Sequence, residues 1–162
     1  MELWDLYDRN RNIIGEHIRG EKLPENGYHL VVHVWIKNSK GQYLMSKRAE
    51  SRPTFPLMWE CVGGSVVKGE DSLQGALRET LEEVGVTLSA EDGKILFSEI
   101  REHYNDILDV WLFNYDGDIS LENALTDEVE QAVWMDRDGI LKLKQENKLV
   151  GSMDYFFDKV DI

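Results

Sequence analysis

Four glutamates stand within fourteen residues of one another: Glu70, Glu79, Glu82 and Glu83, in the segment GGSVVKGEDSLQGALRETLEEVGV from Gly63 to Val86. At about 100° per helical residue, Glu82 falls about 60° to one side of Glu79 and Glu83 about 40° to the other. Three carboxylates therefore crowd an arc of roughly 100°, and like charges at such spacings destabilise a helix. Hard cations would neutralise them, and oxygen-only donors suit Mg²⁺ or Mn²⁺, which also meet the phosphates of a substrate. Arg78 is adjacent, and its fork can hold one glutamate bidentately. The glycines ahead of the helix allow a carbonyl oxygen to turn inward as a further ligand.

The elements that would position these groups are legible around them. The helix is predicted over Ser72 to Val84, with Asp71 as N-cap, Gln74 completing a capping box and Gly85 as C-cap. Leu73, Ala76, Leu77, Thr80, Leu81 and Val84 form its apolar stripe, so the carboxylates are expected on the opposite side. Tyr28 to Ile36 reads as a strand, with Leu30, Val32, Val34 and Ile36 on one face and His29, Val31, His33 and Trp35 on the other. A turn over Asn38-Ser39-Lys40-Gly41 leads to a return strand from Gln42 to Arg48, and Met58 to Val62 is extended. Further strands are expected near Ile95 to His103, Ile107 to Tyr115 and Glu130 to Met135. Asp136 caps a helix over Gly139 to Asn147, and the tail from Asp154 adds a last helical turn. Leu3 to Tyr7 and Ile13 to Ile14 flank a polar turn, which predicts an N-terminal hairpin within residues 1–20. The sum is an α/β (α+β) fold with a mixed sheet between helices.

Composition bounds the partners. The 162 residues fit one domain over residues 1–162, with a core of its own. Lys plus Arg number 18 against 31 Asp plus Glu, a net charge of −13. That field repels nucleic-acid polymers and anionic membranes, so a phosphate enzyme of this charge needs bound cations or a local basic pocket. Lys47, Arg48 and Arg52, leading into the acidic segment, are the candidates for that pocket, and His103 is a further candidate for reaching substrate. Cys61 is the one cysteine, and no signal peptide or transmembrane run is evident, so a reducing cytoplasm is the expected compartment. A homodimer is the default assembly.

The spacing G-x5-E-x7-R-E-x-x-E-E-x-G-V, from Gly64 to Val86, resembles the Nudix box, residues 64–86 here, at every charged and glycine position. Thr80 replaces one hydrophobic residue of the pattern. The resemblance implies a Nudix fold and a metal-dependent pyrophosphohydrolase that cleaves a diphosphate linkage in a nucleotide-like small molecule. It implies that Glu79, Glu82 and Glu83 bind metal, with the Gly63 carbonyl, and that Glu70 and Arg78 support them. Glu82 or Glu83, or a later loop glutamate, Glu128 or Glu130, would be the general base.

A second resemblance covers roughly Met1 to Leu88. The hairpin WDLYDRNRNIIG, the run YHLVVHVWIKNSKGQYLMSKR, and Pro56 and Trp59 look like isopentenyl-diphosphate isomerase and its nearest Nudix hydrolases. That raises isomerisation as the alternative activity. The isomerase, however, carries a Cys-Gly directly ahead of its box, where this chain reads Val62-Gly63-Gly64. Cys61 stands two residues early, as expected of a small buried side chain. His29 matches one isomerase metal histidine, but the histidine shortly before it has no counterpart. A non-catalytic, ligand-sensing Nudix module is the third reading, and the intact set of glutamates argues against it.

Overall fold

The computed structural model describes residues 1–162. Two strands, β1 (Leu3–Tyr7) and β2 (Ile13–Ile18), pair antiparallel as a separate two-stranded hairpin. β2 runs four residues further than its two isoleucines suggest. The main sheet has seven strands: β3 (His29–Lys37), β4 (Tyr43–Arg48), β5 (Trp59–Glu60), β6 (Val62–Ser65), β7 (Gly93–Arg101), β8 (Asp106–Asn114) and β9 (Val129–Met135). Its spine is β5-β4-β3-β8-β7, with β6 paired to β3 and β9 to β4. β3 and β8 run parallel over nine residue pairs, while their other partners are antiparallel, so the sheet is mixed.

The alternation along β3 sorts the core into two layers. Leu30, Val32, Val34 and Ile36 enter a cluster under helix α1 (Ser72–Val84) with Ala76 and Val84. Trp35 enters the opposite cluster with Tyr43, Ile140 of α2 (Arg137–Gln145) and Phe156 of the C-terminal turn at Phe156–Val160. Each such side chain, once fully buried, contributes roughly 1.5–3 kcal/mol of transfer free energy. The sheet thus lies between helices. No helix is long and apolar enough to cross a membrane.

Asp71 caps α1 with the reciprocal Gln74 bonds of a capping box, and Gly85 ends it in the left-handed region at φ 70°. A side chain there would also collide with Asn123, whose backbone carbon lies 2.6 Å from the Cβ position. The buried face of α1 is rotated from the expected stripe. Gly75 lets the helix approach Val66, Thr80 returns its hydroxyl to the Ala76 carbonyl at 2.8 Å, and Leu73 and Leu77 are only half-buried. In consequence Glu83 is on the buried side, 6% exposed, rather than on the solvent side expected for the acidic arc.

Candidate active site

β6 pairs with β3, setting Gly63 opposite His33 and Gly64 opposite Val32, at the edge where α1 crosses the sheet. A methyl group on Gly64 would sit 2.5 Å from the carboxylate carbon of Glu79. Glycine is required here because the acid lies directly on the backbone.

Arg78 organises what surrounds it. Its Nε donates to Glu70 Oε2 at 2.7 Å and its Nη2 to Glu70 Oε1 at 3.0 Å, a bidentate fork. Nη2 also donates to the Ser65 carbonyl at 3.0 Å, while Nη1 reaches Glu79 Oε1 at 3.0 Å and Glu82 Oε2 at 3.1 Å. Glu70 additionally accepts from the backbone N–H of Val67 at 3.0 Å, which closes the loop ahead of the helix. Burial works against the guanidinium charge, yet the bonds and charges of Glu70 and Glu79 hold its pKa above the usual range.

The acids are under-compensated. Burial pushes the Glu79 carboxyl up, offset in part by Glu83 and Arg78. Burial pushes Glu83 well above the ordinary carboxylate range, and the charges of Glu79 and Glu60 add to it. Burial likewise raises Glu60, against the opposing pull of Arg48. No three acidic side chains already converge as a ligand set, and Arg78 bridges Glu79 and Glu82.

A cleft of about 210 Å³ opens over this cluster. Glu79, Glu82, Arg78 and the backbone of Gly63 and Gly64 form its floor, and Arg52 and Glu128 line it, paired at 2.7 Å. Glu83 lies buried outside the lining. Two lining residues escaped sequence reasoning: Glu2 and Arg19, both from the hairpin and paired at 2.8 Å. The hairpin is fastened to the acidic loop, since Lys68 N–H donates to the Leu3 carbonyl at 2.8 Å and Gly69 N–H to Asp5 at 2.9 Å. A salt bridge joins Lys68 to Glu16. No local sequence signal marks Arg19; only this tertiary attachment brings it in.

Of the four residues expected to meet the substrate, Arg52 lines the cleft and Lys47, Arg48 and His103 do not. Lys47 pairs with Glu130 at 3.5 Å. Arg48 is committed to Glu60 at 2.5 Å and to the Thr54 carbonyl at 2.9 Å. His103 is exposed on the short turn Glu102–Tyr104, its ring against Tyr104. His29 stacks on Trp4 with ring centroids 4.1 Å apart, its buried Nδ1 unpartnered and its pKa drawn down to about 4 by burial. The His33 ring is held 2.8 Å from the Tyr155 hydroxyl and drawn down to about 3 by burial. Cys61 belongs to the core layer on the α2 side, its sulfur 3.5 Å from that of Met153.

Residues 27–157 match the NUDIX domain family. The chain belongs to the Nudix family. It is 37% identical over 159 residues to an uncharacterized Nudix hydrolase of Listeria innocua, covering 97% of this chain and 91% of that one. An uncharacterized Nudix hydrolase of Streptomyces coelicolor is 27% identical over 134 residues, 82% of this chain and 72% of that one. Among solved structures, a Deinococcus radiodurans protein superposes with a TM-score of 0.74 over 92% of each chain at 22% identity, a likeness of fold. A MutT protein from Methanosarcina mazei gives 0.62 over 81% of this chain and 91% of that one at 25% identity. This Nudix chain is accordingly a hydrolase acting on phosphorus-containing acid anhydrides of small molecules, in a family that generally uses divalent metals.

Proposed function

We propose that the chain is a divalent-metal-dependent pyrophosphohydrolase acting on a small, nucleotide-like diphosphate, with residues 1–162 as one functional unit and the hairpin of residues 1–20 part of it. The observation that carries this reading is the surplus of carboxylate over cation around Arg78, with Glu83 buried beneath. The donor set fits a hard cation: every candidate ligand is an oxygen, and the Glu79 carboxylate is seated where only glycine backbone leaves room.

Glu79, Glu82 and Glu83, with the Gly63 carbonyl, would hold Mg²⁺ or Mn²⁺. Once bound, the cation supplies acidification of the attacking water and neutralisation of charge on the phosphates. Glu70 keeps Arg78 in place through the Nε–Nη2 fork, independently of the Nη1 contacts to Glu79 and Glu82. Arg52 orients the diphosphate from the cleft wall. Glu128, on the same wall, is the candidate base beside Glu82 and Glu83, whereas Glu130 is occupied by Lys47. In the reaction a water oxygen bonds to phosphorus, the bridging P–O bond breaks, and the proton from water passes to the base.

Within the family, the hairpin and the β3–β4 motif ally the chain with the isopentenyl-diphosphate isomerase-like hydrolases. Cys61, sealed in the core against Met153, offers no acid for isomerisation. The lone buried thiol suits a reducing cytoplasm, and a homodimer remains the default assembly.

The test is a Mg²⁺-dependent turnover screen over diphosphate compounds, read by mass spectrometry of all products. Cleaved products that vanish with chelator support the reading. A same-mass isomer of isopentenyl diphosphate with no cleavage anywhere overturns it.

A further inference from the structure

We propose that the cleft selects a compact, hydrophilic substrate carrying at least one anionic group beyond the scissile diphosphate, and that Arg19 binds that extra charge. The inference deepens the pyrophosphohydrolase reading and rests on it.

The first observation is the character of the lining. Val67 is the one apolar side chain among eleven lining residues. Ligand sites that take hydrocarbon chains are mostly apolar. A prenyl chain entering this cleft would desolvate carboxylates and guanidinium groups and meet almost no apolar surface in return. Polyphosphate or phosphorylated-sugar groups bring no hydrocarbon to bury, and Arg52, Arg19 and a bound cation meet their charge.

The second observation is the supply of cations. Arg78 has its donors committed to Glu70, Ser65, Glu79 and Glu82, so it cannot also grip a substrate. Two arginines remain on the lining, Arg52 and Arg19, and each is held by one cleft carboxylate, Glu128 and Glu2. Once Arg52 serves the diphosphate, Arg19 is left for a further charge.

Arg19 is also placed in advance. Glu2 Oε2 accepts from Arg19 Nη1 at 2.8 Å and from the Trp4 indole N–H at 3.0 Å. The guanidinium lies 6.0 Å from the Trp4 ring, which stacks in turn on His29 at the start of β3. Arg19 therefore stands on a buttress that reaches the main sheet. Its pair with Glu2 is largely exposed, and an exposed pair exchanges a carboxylate for a phosphate at small cost. The fork geometry of arginine suits that exchange.

The experiment measures kcat and KM with Mg²⁺ for a nucleoside triphosphate and for isopentenyl diphosphate, using the wild type, Arg19→Ala and Arg19→Lys. Inorganic tripolyphosphate serves as a competitive inhibitor throughout. The expected result is preference for the triphosphate. In Arg19→Ala its KM rises about tenfold with kcat little changed, as befits loss of one charge-assisted bond. Tripolyphosphate inhibition should weaken by a similar factor, and Arg19→Lys should recover part of both. Should Arg19→Ala fail to fold by circular dichroism, Glu2→Gln replaces it: freeing Arg19 should lower KM for the triphosphate. An unchanged KM in the folded variants, with Glu82→Gln inactive, overturns the role of Arg19 alone. A wild-type preference for isopentenyl diphosphate overturns the substrate class. Full turnover in Glu82→Gln removes the underlying reading and this inference with it.

Discussion

Asp109 and Glu83 are both buried acids, and they are treated in opposite ways. Asp109, on β8, has no solvent exposure, yet Arg11 donates to both of its oxygens, one at 2.7 Å, and Ser98 Oγ donates at 2.7 Å. Burial works to raise its pKa, but the bonds from Arg11, Ser72 and Ser98 outweigh it and hold the carboxyl below its usual value. Glu83 is nearly as buried, and burial together with Glu79 and Glu60 pushes it far the other way. Burial alone therefore does not separate a structural acid from a reactive one. The supply of partners does: the Asp109 site is balanced and complete, whereas the Glu83 site has more charge than the chain compensates.

That contrast can be broken at either end. The largest effect is expected from Glu82→Gln, which should cut turnover by about a thousandfold or more while the far-ultraviolet circular dichroism stays native. Near-normal turnover would make the Arg78 cluster another structural ion network. Asp109→Ala should instead leave catalysis alone in the folded fraction and cost about 1–2 kcal/mol in urea unfolding, because Ser98 and the half-exposed Arg11 lose a charged acceptor. A loss below about 0.5 kcal/mol would show the pair to be no better than a surface salt bridge. Glu83→Gln should do the reverse of Asp109→Ala, raising metal-free stability by up to about 1 kcal/mol, since one of the crowded charges is removed. A fall in stability, measured in chelator, would mean that Glu83 is already compensated.

The smallest effect lies in acid. The folded pKa of Asp109 is below its ordinary 3.8, so as pH falls the unfolded chain takes up the proton first. The stability it contributes is present above that ordinary value and is lost as pH drops through the folded pKa. Urea midpoints of wild type and Asp109→Ala should therefore converge at the acid end. A gap that stays constant down to about pH 2 would remove ionisation from the account.

Much of the fold was legible because local rules and tertiary demands agree. The Asp71–Gln74 box, Gly85 and the alternation along β3 each act within a few residues, and each stands where the sequence puts it. The rotation of α1 was not legible. It depends on Gly75 meeting Val66 across the helix–sheet interface, which no periodicity encodes. Grouping of the acids around Arg78 followed from helical spacing, since i and i+4 neighbours meet whatever the surroundings. The cleft walls behaved differently. Lys47, Arg48 and Arg52 are neighbours in sequence, yet only Arg52 lines the cleft, and Glu2 and Arg19 arrive from a hairpin more than forty residues ahead of the acidic loop. Charged side chains on strands and loops take their direction from pairing partners, here Glu130 and Glu60 for two of the three.

The stitching of β1 to the acidic loop through Leu3 and Asp5 has a practical side. Glu2 lines the cleft, so any peptide joined ahead of it emerges at the mouth of the site. An affinity tag placed there would sit beside the substrate entrance and compete for Arg19, especially if it is acidic. Ile162, almost fully exposed and outside the cleft lining, is the end from which the protein should be held.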